Sequence, residues 1–298
     1  MICGTFSLDE MKVGKEVYMY KILKKEVLNP TVTKLVVEAP FVAKHAKAGQ
    51  FIILRVNEDS ERIPFTIEDA NPETGAVSII FQIVGGMTML LNTKEEGDYI
   101  HDFVGPLGKP SEIDGNKKVA IIGGGVGCAI ALPTAKAFHN AGADVTSITG
   151  FRNKDLVILE EEFKANSDAF YLMSDDGTAG EKGLVTNKLE ELIQAGEKFD
   201  EVVAIGPLIM MKFVCLTTKK YDIPTVVSMN PIMVDGTGMC GCCRLSVGGQ
   251  MKFACVDGPD FDGHQVDFDE TMSRNKTYAD FEAHAREKAC NLLKKEVE

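Results

Sequence analysis

The segment that most restricts the fold is KKVAIIGGGVGCAIALPTAKAFHNAGADVTSITGF, which begins at Lys117. Val119 to Ile122 form an apolar run, Gly123, Gly124, Gly125 and Gly127 break it, and a helical stretch and a second β-branched run follow. The order is strand, glycine turn, helix, strand. The same alternation continues through DLVILEEEF, AFYLMSD, GLVTNKLEELIQAG and FDEVVAIGP. It predicts a doubly wound α/β domain over residues 113–225, a parallel sheet with helices on both faces.

Glycine at such a turn lets the backbone approach a phosphate closely, and the following helix offers free N–H groups and the positive end of its dipole. Gly123, Gly124, Gly125 and Gly127 are therefore candidate nucleotide contacts, with a purely structural turn as the alternative. The spacing matches GxGxxG only loosely, and the second strand ends Ser147-Ile148-Thr149-Gly150 without the usual acidic residue. A relative that binds nicotinamide differently is favoured over a standard Rossmann dehydrogenase.

Residues 17–112 have another character. EVYMYKILKKEVL and TVTKLVVEAP are strand-like runs separated by Asn-Pro, GQFIILRV opens at Gly49, and GAVSIIFQIVGG follows the turn-like NPETG. They predict an antiparallel barrel or sandwich. Within it, Arg62-Ile63-Pro64-Phe65-Thr66 combines a rigid cationic fork suited to a pyrophosphate, an aromatic face and a hydroxyl donor. The plain alternative is a strand entered through a proline.

Of 8 cysteines, Cys240, Cys242, Cys243 and Cys255 fall close together, among the glycines and methionines of residues 226–270. A disulfide framework spreads its cysteines through a small secreted chain, so the cluster points to a metal or iron–sulfur site in a reducing compartment, and hence to the cytoplasm. Cys240 and Cys243 give the close pair of the plant-type [2Fe–2S] spacing and Cys255 the distant ligand; five positions before Cys240 stands Asp235 instead of cysteine. Three readings stay open: a [2Fe–2S] cluster with Asp235 as fourth ligand, the same cluster with Cys242, or structural zinc or free thiols. Cys242 and Cys243 are adjacent and point in divergent directions. Zinc favours separated Cys/His pairs, and only His264 is nearby.

The formal net charge of -12 argues against nucleic acid, which needs clustered Lys and Arg. No apolar run approaches the roughly 20 residues of a membrane helix, and MICGTFSLDE lacks the basic and apolar regions of a secretory signal. Residues 1–16 form an N-terminal extension, and 271–298 a helical tail with Phe281, Ala285, Ala289 and Leu292 at helical spacing.

Taken in order, the barrel with Arg-x-Pro-aromatic-Thr, Gly105-Pro106-Leu107-Gly108, the glycine-turn domain and Gly206-Pro207 before Met210-Met211 resemble the ferredoxin–NADP reductase superfamily. With the cysteine segment added, residues 17–265 resemble the electron-transfer subunits of bacterial dihydroorotate dehydrogenase. The aspartate variant in SMNPIMVDGTGMCGCCR resembles the small-subunit family of NADH-dependent reduced ferredoxin:NADP oxidoreductases, also known as sulfide dehydrogenase β subunits. The resemblance implies a barrel that binds FAD, an α/β domain that binds NAD(H), and a small [2Fe–2S] domain. It places Arg62 on the FAD pyrophosphate, Pro64 and Phe65 beside the flavin, Thr66 near flavin N5, and Gly85 and Thr88 in a second phosphate-contacting loop. Gly206 and Pro207 join the nucleotide site, and Asp235, Cys240, Cys243 and Cys255 hold the cluster. It also implies a large flavin and iron–sulfur partner, similar to the small subunit of glutamate synthase, through which ferredoxin and NADP(H) react in electron bifurcation. A dihydroorotate dehydrogenase subunit and a non-enzymatic zinc scaffold or sensor are the alternatives.

Overall fold

The computed structural model describes residues 19–295, so the extension read at 1–16 and the first two residues of the barrel segment lie outside it. The chain begins with β1 (Tyr20–Asn29) and β2 (Val32–Glu38), an antiparallel hairpin whose turn is fixed by Asn29, which accepts from the Thr31 amide at 2.9 Å. There follow α1 (Pro40–His45), β3 (Phe51–Arg55), β4 (Ile63–Thr66), β5 (Asp69–Asn71), β6 (Ala76–Gln82), α2 (Gly86–Asn92), β7 (Tyr99–Ile100) and β8 (Asp102–Leu107). These strands make a five-stranded sheet, β5-β6-β2-β1-β7, and a three-stranded sheet, β4-β3-β8, antiparallel throughout. Their inward side chains, among them Ile22, Leu35, Val37, Ile52, Leu54, Ile79, Phe81 and Phe103, form one core. Each such large apolar side chain contributes roughly 1.5–3 kcal/mol by burial. Pro64 is tolerated because β4 is an edge strand.

The second unit contains β9 (Lys118–Gly124), α3 (Gly127–Ala141), β10 (Asp144–Phe151), α4 (Glu160–Ala165), β11 (Ala169–Ser174), β12 (Glu181–Lys182), α5 (Val185–Gln194), β13 (Glu201–Ile205), α6 (Leu208–Lys219) and β14 (Thr225–Ser228). Alternate residues of β9 serve opposite cores. Val119 and Ile121 pack with Leu132, Ala135 and Phe138 of α3, while Ala120 and Ile122 pack with Leu189 of α5 and Met211 and Val214 of α6. A strand covered on both faces is apolar at every position, which is why this one reads as an unbroken run. The strand order reverses between β9, which pairs with β10, and β13, so the crevice at their carboxyl ends is the topological switch point.

The last segment holds the hairpin β15 (Arg244–Val247) and β16 (Gln250–Phe253), then α7 (Ala254–Asp257), β17 (Asp260–Asp262), α8 (Phe268–Asn275) and α9 (Ala279–Lys295). β17 completes the large sheet, β12-β11-β10-β9-β13-β14-β17, and is its antiparallel edge. The stretch read as an amphipathic helix, from Tyr278 onward, contains α9, and the shorter α8 precedes it. α8 is capped by Asp267, which accepts from the Glu270 amide at 2.9 Å, and α9 packs against α2 of the barrel. Phe281 is 75% exposed and Ala285 is exposed; the side chains of Ala289 and Leu292 lie outside the described residues. Among the described residues no helix is long and apolar enough to cross a membrane.

Candidate functional site

The switch-point crevice is bounded by two glycine turns. In the β9–α3 turn Gly125 has φ +56° and donates its amide to the Gly150 carbonyl at 2.8 Å. α3 starts without a side-chain cap; its Cys128 and Ala129 amides donate to the Gly125 and Val126 carbonyls at 3.1 and 3.0 Å, which leaves the Gly127 amide and the positive end of the helix dipole for an anion. The four glycines singled out in the sequence do different work. A Cβ on Gly123 would lie 2.8 Å from the Cys128 sulfur, one on Gly124 would overlap Met210, and one on Gly127 would lie 2.6 Å from Gly206 Cα and from the Ile205 carbonyl oxygen. Only at Gly125 would a Cβ meet nothing within 4 Å. Backbone excludes a Cβ at Gly127, a Cβ at Gly123 or Gly124 would first meet the sulfur of Cys128 or Met210, and Gly125 is the one that borders free space. Gly206 and Pro207 begin the opposing β13–α6 turn, backbone against backbone with Gly127.

On the barrel, β4 pairs with β3 in the register Phe51↔Thr66, Ile52↔Phe65 and Ile53↔Pro64. Arg62, just before β4, is exposed, and Pro64, Phe65 and Thr66 are half-buried. Phe65 is fixed by Phe81, with ring centroids 5.6 Å apart. Thr88 folds back onto its own loop: its hydroxyl accepts from the Val84 and Gly85 amides and donates to the Gly85 carbonyl, each at 3.0 Å. It shapes the loop, while Gly85 borders open space.

The cysteine loop lies against this same sheet. A Cβ on Gly236 would meet Leu107 of β8 at 2.8 Å and Ile53 of β3 at 3.0 Å, and Ile53 is the residue paired with Pro64. Asp235 accepts from the Thr237 hydroxyl and from its amide at 3.0 Å. The Thr237 hydroxyl and amide, with a smaller effect from the Arg62 charge, hold the carboxyl below its ordinary range. The Cys243 and Cys255 sulfurs are buried 3.2 Å apart, and burial pushes the Cys255 thiol up to about 12. Cys240 is exposed; the Cys242 amide lowers its thiol, whereas the hydrogen bond that the Cys242 thiol donates to the Cys240 sulfur raises that of Cys242.

The structure therefore joins Cys243 to Cys255 and Cys240 to Cys242. Among the described residues no three His, Cys, Asp or Glu side chains converge closely enough to hold a metal ion, so Asp235 is not drawn into one group with the thiols. The donor set still suits iron. Burial disfavours the Cys255 thiolate, and a metal ion held between Cys255 and Cys243 would stabilise it.

One buried group had no signal in the sequence. Asp260 of β17 accepts from the Ser111 hydroxyl at 2.5 Å, its second carboxyl oxygen has no partner among the described residues, and burial raises its pKa. It ties the segment after the cysteines to the linker between barrel and α/β unit.

The profile of the iron–sulfur cluster binding domain of dihydroorotate dehydrogenase B matches residues 230–267. A Thermotoga maritima homologue of the dihydroorotate dehydrogenase B (NAD+) electron-transfer subunit is 48% identical over 262 residues, 88% of this chain and 92% of that protein. The electron-transfer subunit from Streptococcus pneumoniae is 32% identical over 249 residues, 81% of this chain and 94% of that one. In the NADH-dependent reduced ferredoxin-NADP oxidoreductase, a structure described for its insights into flavin-based electron bifurcation, one chain superposes with a TM-score of 0.87. It is 44% identical, covering 91% of this chain and 98% of that chain.

Proposed function

This chain belongs to the family of dihydroorotate dehydrogenase B electron-transfer subunits and their homologues, oxidoreductase subunits with the ferredoxin–NADP reductase fold, and from that premise we propose a more specific role. It is the FAD- and [2Fe–2S]-containing subunit of an electron-bifurcating NADH-dependent ferredoxin:NADP oxidoreductase. The observation that carries this reading is the contact between the cysteine loop and the β3–β4 pair, Gly236 on Ile53 and Ile53 beside Pro64, in a chain whose other crevice is built for a dinucleotide.

In this reading Gly125 and the start of α3 take the NAD(H) diphosphate, and Gly206 and Pro207 border its nicotinamide end. Arg62, Gly85 and the loop that Thr88 shapes hold the FAD pyrophosphate, Pro64 and Phe65 wall the flavin, and Thr66 faces its reacting edge. Cys240, Cys243 and Cys255 would hold the cluster, with Asp235 as the fourth ligand in exchange for its hydrogen bonds to Thr237. Bound flavin supplies the exchange between two-electron hydride transfer and single electrons. The large partner receives those electrons and carries the reactions with ferredoxin and NADP(H).

Asp235, standing where the dihydroorotate dehydrogenase subunits' spacing has cysteine, supports this reading over such a subunit; identity does not separate the two, at 48% with the Thermotoga maritima homologue of that subunit and 44% with the oxidoreductase chain. Anaerobic co-purification of the native complex tests it. The expected complex reduces NADP+ only when NADH and reduced ferredoxin are supplied together; a partner that oxidises dihydroorotate would establish the other reading.

A further inference from the structure

The two glycine turns of the nucleotide crevice close around one side chain. A Cβ on Gly127 would strike the Gly206 backbone at 2.6 Å, and one on Gly206 would crowd the Gly124 carbonyl oxygen at 3.1 Å. A Cβ on Gly124 would overlap the Met210 sulfur, and one on Gly206 would lie 2.9 Å from the Met210 methyl carbon. Met210 belongs to the first turn of α6, is half-buried, and packs onto the core that includes Ile122 and Met211. The unbranched thioether therefore fills the seam between Gly124 at the end of β9 and Gly206 at the end of β13. A β-branched side chain would press on one of the two backbones, and a shorter one would leave the seam open.

We propose that Met210 is a positioning residue for the nicotinamide end of the nucleotide. It sets the gap between the two turns and thereby the angle at which the ring meets the flavin. This rests on the assignment of the crevice to NAD(H). Gly125 and the start of α3, which take the diphosphate in that assignment, do not depend on Met210. Its loss should therefore lower the rate of hydride transfer and spare affinity.

The test uses the flavin-loaded chain under anaerobic conditions. In stopped flow, Met210→Ala should bleach the flavin about tenfold more slowly at saturating NADH, inside the range by which small misplacements slow a reaction. Its Kd for NAD+ by calorimetry should stay within about threefold of wild type. Met210→Leu, of nearly the same volume, should recover most of the rate. In protein labelled with 13C at the methionine methyls, the resonance that vanishes in Met210→Leu should shift when NAD+ is added to wild type. A limiting rate within about twofold of wild type in Met210→Ala overturns the proposal. So does a Kd that weakens in step with the rate, a leucine variant as slow as the alanine one, or a methyl that NAD+ leaves unmoved. If Met210→Ala does not fold, the leucine variant and the methyl shift decide. NADH that fails to reduce wild-type flavin would instead overturn the assignment of the crevice.

Discussion

Replacing Gly125 and Gly127 separately by alanine divides the nucleotide turn into a part that binds and a part that packs. Gly125 has φ +56° and open space where a Cβ would stand. Alanine there costs about 1–2 kcal/mol of backbone strain and no collision, so Tm should fall by only a few degrees. The new methyl group would enter the position proposed for the diphosphate and displace one of its oxygens from a hydrogen bond at the start of α3. Losing one such charge-assisted hydrogen bond costs roughly 1.5–3 kcal/mol. That is about ten- to a hundredfold in the Kd for NADH. At Gly127 the Cβ would lie 2.6 Å from Gly206 Cα, a backbone atom that cannot step aside. Gly127→Ala should lose stability in the upper part of the roughly 1–3 kcal/mol range of overpacking, or beyond it, because two turns must separate. The assay is anaerobic flavin reduction by NADH over a range of concentrations, with dithionite reduction and thermal unfolding as controls. Gly125→Ala should show a raised Kd, normal dithionite reduction and near-normal Tm. An unchanged Kd with a lowered Tm would refute the reasoning and leave the turn purely structural.

Three other outcomes are expected. Arg62→Ala should lose FAD on gel filtration and keep its iron; unchanged flavin content would remove Arg62 from the site. Asp235→Ala should make the cluster labile and change its EPR signal, whereas Cys242→Ser should do little. An unaltered signal in the first and cluster loss in the second would transfer the fourth ligand to Cys242. Burial raises the Asp260 carboxyl, so the folded state holds its proton more tightly than the unfolded chain. That contribution is complete below the ordinary carboxylate pKa of about 4 and is lost as pH rises through the folded value. Asp260→Asn should flatten the fall of Tm with pH above that point, and a slope identical to wild type would contradict the assignment.

Much of the fold was legible because its signals are local. The run Val119–Ile122 is apolar at every position because both faces of β9 are covered, and the barrel strands alternate because one face of each sheet is buried. The amphipathic stretch from Tyr278 onward was legible as a helix and contains α9, whereas the short α8 before it, Phe268–Asn275, carries no comparable apolar spacing. The glycine turn was visible, yet the separate duties of its glycines were not. Those depend on Gly206 and Met210, far away in sequence, and no local pattern encodes that approach. For the same reason Asp260 was silent: its partner, Ser111, is 149 residues away. The cysteine spacing marked a redox loop, but spacing alone does not show that the loop lies on Ile53 and Leu107, beside the segment that starts at Arg62.

The most direct test of the account is to purify the chain anaerobically, assay its cofactors and titrate it with NADH while recording visible and EPR spectra. The account predicts one FAD with about two iron and two sulfide per chain, flavin bleaching by NADH, and a reduced-cluster EPR signal that follows it. A colourless protein containing zinc, or a cluster that stays oxidised while NADH fully reduces the flavin, would contradict it.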